Sequence, residues 1–117
     1  MAKHLKYGKA AEKAASDFLL SEGYKILAVN YRTGRAEVDI IASKNSVLVF
    51  VEVKARTGNR HGLPEEAVGP KKQAMLLQAA DVYIDQNSWP GDCRFDIIAV
   101  SGAGEKQEIH HIIDAFH

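Results

Sequence analysis

The stretch Val47-Leu48-Val49-Phe50-Val51-Glu52-Val53-Lys54 decides the fold. An almost unbroken apolar run of this length reads as a strand covered on both faces. It ends in two charges, which are costly if buried without partners. Side chains alternate across a strand, so Glu52 and Lys54 share one face and Val51 and Val53 the other. The same rule applied to Glu37-Val38-Asp39-Ile40-Ile41 puts Glu37 and Asp39 on one face, with Val38 and Ile40 opposite. If Asn45-Ser46 is a two-residue hairpin loop, Lys44 faces Val47 and the numbers of opposed residues sum to 91. Asp39 then faces Glu52, and Glu37 faces Lys54. Opposed side chains have Cβ atoms roughly 5 Å apart, where like charges destabilise a sheet unless something neutralises them. A divalent cation is one such neutraliser: Mg²⁺ takes one or two protein carboxylates and completes its sphere with water and phosphate. Lys54 beside the acids would stabilise developing phosphoryl charge or orient an attacking water. The plainer reading makes these strand-end charges in solvent, with Glu37 and Lys54 an ion pair worth at most about 1 kcal/mol.

Outward from this hairpin, Ala11, Ala14, Ala15, Phe18 and Leu19 recur at helical spacing within a helix from Tyr7 to Glu22, ended by Gly23. Strands are expected at Tyr24 to Arg32, Ala36 to Ser43 and Val47 to Arg56. Residues Thr57 to Gly69 form a long glycine-bearing connection of the kind that is often functional. Pro70 opens a second helix reaching about Gln86, whose apolar stripe is Ala74, Leu77, Ala80 and Ile84, flanked by Leu76 and Tyr83. After the turn at Pro90-Gly91, strands follow at Arg94 to Ser101 and Gln107 to Ala115. Three short-linked strands make an antiparallel meander, and the second helix returns the chain parallel to its neighbour. The fold class is α/β, with helices against a mixed central sheet.

The 117 residues, 46% hydrophobic, suit one domain spanning 1–117 with a core that needs no disulfide. Cys93 is the single cysteine, which excludes paired-cysteine zinc and redox motifs and is read as an ordinary thiol. No apolar run follows the opening Met-Ala-Lys-His-Leu-Lys, and no stretch nears the ~20 apolar residues that cross a bilayer, so no membrane partner is expected and the cytoplasm is the default compartment. Fifteen basic and 15 acidic residues balance overall. Their distribution is uneven, with Lys3, Lys6, Lys9 and Lys13 at one end and Arg56, Arg60, Lys71 and Lys72 clustered later.

Asp39, twelve residues, then Glu52-Val53-Lys54 resembles the D…(D/E)-x-K signature of the restriction-endonuclease-like superfamily. The chain from Gly8 to Phe116 is similar to the YraN-like family of small bacterial proteins, whose layout is close to that of archaeal Holliday-junction resolvases. The resemblance is carried by Gly8-x-x-x-Glu12-x-x-Ala15, Gly23-Tyr24, Asn30-Tyr31-Arg32, Glu37-Val-Asp39-Ile-Ile-Ala42, Phe50-Val-Glu52-Val-Lys54-x-Arg56, Glu66-Ala67-Val68, Lys72-Gln73, Arg94-Phe95-Asp96 and Ala115-Phe116. It implies a restriction-endonuclease-like core of helix, three-strand meander, helix and strands. It also implies Mg²⁺-dependent hydrolysis of DNA phosphodiester bonds, with Mn²⁺ as a substitute and branched or junction DNA as substrate. On this resemblance Asp39 and Glu52 hold the metal, Glu12 supports it, and Lys54 is catalytic. Ala11 and Ala36 stand where glycine commonly precedes the motif glutamates, and His61 where an aromatic commonly precedes Gly62. Ala36 matters if its backbone needs a positive φ.

Arg56 and Arg60 on the long connection, and Lys72 and Gln73 at the start of the second helix, are the candidates for contacting the DNA backbone. His110 and His111 are adjacent on a strand and so face opposite sides, which assigns both to structure. Asp96 is expected to support the fold by pairing with a nearby arginine. So small a chain covers little duplex, and a symmetric homodimer is a natural way to place two cuts. The alternative to an endonuclease is a catalytically inactive nuclease-fold module that binds nucleic acid or a protein partner.

Overall fold

Asn45 and Ser46 both adopt left-handed backbone angles (φ 52° and 67°), the conformation that a two-residue hairpin turn requires. In the computed structural model, which describes residues 2–56, 68–102 and 104–116 with side chains from Lys9 onward, this turn pairs Lys44 with Val47. The register runs through Ser43 with Leu48 to Ile40 with Val51, as the sequence arithmetic expects.

The elements are α1 (Ala2–Ser21), β1 (Lys25–Thr33), β2 (Ala36–Lys44), β3 (Val47–Arg56), α2 (Pro70–Asn87), β4 (Cys93–Ser101) and β5 (Glu108–Phe116), with a short 3₁₀ turn at Gly104–Lys106. The first helix thus starts earlier than Tyr7. One mixed sheet has the order β1-β2-β3-β4-β5. Only the β3 to β4 pairing is parallel, with α2 as its crossover, and the other neighbours are antiparallel.

Each helix covers one face of the sheet. Ala11, Ala15 and Leu19 of α1 pack with Ile40, Ala42, Val49, Val51, Ile98 and Val100. Leu76, Ala79 and Ala80 of α2 pack with Val38, Ile41, Leu48, Phe50, Phe95 and Ile97 on the other side. β3 is therefore sealed on both faces, and each large apolar side chain buried there contributes roughly 1.5–3 kcal/mol. The stripe of α2 is rotated from the expected one: Leu76, Ala79, Ala80 and Tyr83 face the sheet, whereas Ala74 and Leu77 are exposed. Leu76 and Tyr83 fit the same helical period as Ala80 and bring more apolar area to the sheet than Ala74 and Leu77.

The strand alternation also breaks. Val38 belongs to the α2 layer and Ile40 to the α1 layer, so the two do not share a face. The inversion is centred on Asp39, and across β1 the register brings Asn30, at φ 52°, opposite it. A left-handed residue in one strand and a parity change in its neighbour mark a local distortion of the sheet. Ala36 is an ordinary β2 residue, and the positive φ of that turn falls on Gly34 (58°) instead.

At the close of α1, Gly23 takes φ 89°, while Tyr24 N–H donates to the Leu19 carbonyl (2.9 Å) and Gly23 N–H to that of Leu20 (3.1 Å). This Schellman closure fixes where Tyr24 enters the α1 layer.

Candidate active site

The β2–β3 ladder ends at Ile40 and Val51, one pair short of Asp39 and Glu52. Beyond it the Asp39 carboxylate takes over the role of a strand carbonyl: Val53 N–H donates to its Oδ2 at 2.8 Å. The carboxylate therefore stands near the plane of the sheet, where the two strands part. Asp39 feels the charge of Glu52, although the two are not the flat cross-strand pair that unbroken alternation would give.

Burial and the negative charge of Glu52 push the Asp39 carboxyl up to about 7, with a further contribution from Glu12. The Val53 hydrogen bond and the Lys72 ammonium act in the opposite sense and do not outweigh them. Glu12, half-buried on α1, is thus electrically part of the same site.

Glu52 lies on the α2 face and is only 4% exposed. Its Oε2 meets two ammonium groups, Lys54 Nζ at 3.4 Å and Lys72 Nζ at 3.2 Å. Among the described residues its buried Oε1 has no hydrogen-bond partner. A buried carboxylate oxygen left bare costs free energy, so the site holds an acceptor that the described residues do not satisfy. Among the described residues, no group of three or more His, Cys, Asp or Glu side chains is gathered to hold a metal.

Of the residues singled out in the sequence, Asp39, Glu52, Lys54, Lys72 and, through its field, Glu12 come together. Arg56 ends β3 in register with Ser101, on the face of Glu52 and Lys54 by alternation. The Gln73 side-chain amide donates to the Val68 carbonyl at 2.9 Å, which ties it to the backbone leading into α2. Arg60 and His61 lie outside the described residues. The expected Glu37–Lys54 pairing is replaced: Glu37 binds Arg32 of β1, Nε to Oε2 at 2.6 Å. Arg32 and Glu37 are directly opposed in the β1–β2 register, so the shorter cross-strand reach wins.

The sequence profile of the uncharacterised protein family UPF0102 matches residues 11–100, which contain every one of these site residues. The chain belongs to that family. Similar relatives are the UPF0102 proteins of Symbiobacterium thermophilum (45% identical, 94% of this chain and 95% of the relative) and Cytophaga hutchinsonii (42% identical, 92% and 93%). A UPF0102 protein of Bacteroides fragilis is 44% identical over 100% of this chain and 97% of its own length. Among solved structures, Pyrococcus furiosus SfsA in complex with Ca²⁺ is similar at 16% identity and a TM-score of 0.39, over 92% of this chain and 62% of that one.

A second acidic centre of this UPF0102 chain lies on the α1 face. Asp96 on β4 is 1% exposed. Arg94 grips it in a fork, Nε to Oδ1 at 2.8 Å and Nη2 to Oδ2 at 2.9 Å, while also donating to the Tyr24 hydroxyl at 2.7 Å. His111 Nε2 lies 2.7 Å from Oδ2, and Asp114 N–H donates to Oδ1 at 3.0 Å. Burial pushes the Asp96 carboxyl upward, but the hydrogen bonds from His111, Arg94 and Asp114 together hold it below its ordinary value. The expected arginine partner is Arg94, two residues away on the same face. His111 lies on the neighbouring β5 and Tyr24 just before β1, and no sequence spacing signals them. No described helix is long and apolar enough to cross a membrane.

Proposed function

We propose that this protein is a Mg²⁺-dependent endonuclease, with Mn²⁺ as a working substitute, that hydrolyses phosphodiester bonds of DNA in the cytoplasm. The observation that carries the reading is the bare, buried Oε1 of Glu52, an acid whose charge adds to the burial that pushes the Asp39 carboxyl up to about 7. A hard dication suits this donor set: it would take the unsatisfied oxygen and relieve the mutual repulsion of the acids. Asp39 and Glu52 would hold it. When bound, Mg²⁺ supplies Lewis-acid stabilisation of phosphoryl oxygens and activation of water.

The remaining roles belong to the chain's own groups. Val53 N–H fixes the Asp39 carboxylate, so that its orientation is set before any ligand arrives. Lys54, with its side chain 31% exposed, presents its ammonium where the phosphoryl charge develops or holds the attacking water in line. Glu12 adds negative charge on the α1 side, from where it would support the ion through water. Arg56 and Lys72 would meet the DNA backbone and fix its position without reading its bases. Junction or branched DNA is suggested only by the sequence resemblance to resolvases, and two copies of the chain related by a two-fold axis would place paired cuts.

The test is incubation of junction, flap and linear DNA with Mg²⁺ or Mn²⁺. Wild type is expected to cleave, and Asp39→Ala and Lys54→Ala are expected not to. Absence of cleavage by wild type with either metal, together with DNA binding that survives both substitutions, overturns the enzymatic reading in favour of a binding module.

A further inference from the structure

Two ammonium groups converge on one oxygen of Glu52 while the other oxygen stays bare. They are not equivalent. Lys54 rises from β3 itself, two residues from the acid, and its side chain is 31% exposed. Lys72 reaches across from the first turn of α2 and its side chain is 44% exposed, yet its contact is the shorter, 3.2 Å against 3.4 Å. The base of Lys72 is held firmly. Pro70 opens α2, Gln73 N–H donates to the Gly69 carbonyl (2.9 Å), and the Gln73 side chain donates to that of Val68 (2.9 Å). Its four-carbon stem, in contrast, is long, flexible and open to solvent.

The charge of Lys72 also reaches Asp39, where it lowers the carboxyl's affinity for a proton. One ammonium therefore acts on both acids. A dication between Asp39 and Glu52 would repel that ammonium and compete with it for Oε2. The first turn of α2 holds no acidic residue that could receive the displaced charge. A phosphate oxygen of a bound nucleic acid is the partner that suits it.

We propose that Lys72 is an exchangeable counter-ion: it neutralises Glu52 before a dication binds, is displaced by that dication, and then contacts a phosphodiester of the DNA. Cation and DNA binding are thereby coupled through one side chain. The proposal rests on the reading of Asp39 and Glu52 as cation ligands.

Ca²⁺, a hard oxygen-seeking dication, is titrated by calorimetry into DNA-free wild type, Lys72→Met, Lys72→Arg and Glu52→Gln, all checked for folding by thermal melting. The affinity of each protein for a fluorescent DNA duplex is then measured with and without Ca²⁺. Lys72→Met is expected to bind Ca²⁺ about threefold more tightly than wild type, because a competitor for Oε2 is gone. Its Ca²⁺-induced gain in DNA affinity is expected to shrink by about tenfold. Lys72→Arg should move both quantities back towards wild type, and Lys72→Gln replaces Lys72→Met if the latter fails to fold. Unchanged or weaker Ca²⁺ binding by Lys72→Met, or an undiminished gain in DNA affinity, overturns the role of Lys72. The reading of the acids survives that result provided Glu52→Gln abolishes Ca²⁺ binding. If Glu52→Gln binds Ca²⁺ like wild type, or wild type binds none, the reading of the acids fails and the proposal fails with it.

Discussion

Among the described residues two carboxylates are buried, one on each face of the same sheet, and the protein treats them in opposite ways. Asp96 on the α1 face receives a forked arginine, a histidine and a backbone amide. Glu52 on the α2 face shares one oxygen between two lysines and leaves the other bare. An acid that serves the fold is saturated from within, because a buried charge is tolerable only when its hydrogen-bonding capacity is met. An acid left short of partners, whose charge adds to the burial that pushes the Asp39 carboxyl up to about 7, is what the proposed cation site requires.

The contrast is broken most forcefully at Asp96. Asp96→Ala strands Arg94 and His111 and is expected to lower the unfolding free energy by about 3 kcal/mol or more, read from urea denaturation. A loss under about 1 kcal/mol would mean that the network does not hold β4 and β5 together.

The second effect is a pair of pH dependences with opposite signs. For Asp39 the folded pKa of about 7 stands above the ordinary 3.8, so between these values the folded state binds the extra proton. Stability in EDTA should therefore fall as pH rises through that window. Asp96 has a folded pKa below 3.8, so its contribution is present above that value and is lost as pH falls below it. Urea midpoints measured across both ranges check this: Asp39→Asn should flatten the first slope and leave the second. Profiles of Asp39→Asn and wild type that superimpose would contradict it.

Smaller still is Glu52→Gln, which removes a poorly satisfied charge while keeping the shape. It is expected to leave metal-free stability within about 1 kcal/mol of wild type even though it abolishes cleavage. A large destabilisation would place Glu52 in the same class as Asp96. The smallest effect belongs to Arg32→Ala, which deletes an ion pair whose arginine side chain is 77% exposed. A stability change below about 1 kcal/mol and unaltered cleavage are expected, and a loss of cleavage would tie Glu37 to the site after all.

Much of this was legible in the chain. Asn45-Ser46 set the hairpin register, and the apolar run of Val47 to Val51 announced a strand covered by a helix on each side. That Glu52 and Lys54 share a face followed from alternation alone. The site's finer geometry was not legible, because alternation assumes an unbroken ladder. Nothing in Glu37-Val38-Asp39-Ile40 marks Asp39 as the point where parity inverts, nor Asn30 as the left-handed residue opposite it. The Lys72 contact joins residues 20 apart in sequence across two elements, and the His111–Asp96 contact joins strands through a turn. Such contacts depend on how helices and strands pack, which local patterns do not encode.

The most direct measurement is a ¹³C-detected NMR titration of the Asp39 carboxyl, without Mg²⁺ and with saturating Mg²⁺. The predicted result is a midpoint near 7 without the ion that drops by several pH units when it is present. An ordinary carboxylate midpoint without the ion, or one that Mg²⁺ leaves unmoved, would contradict the assignment of Asp39 and Glu52 as a cation site.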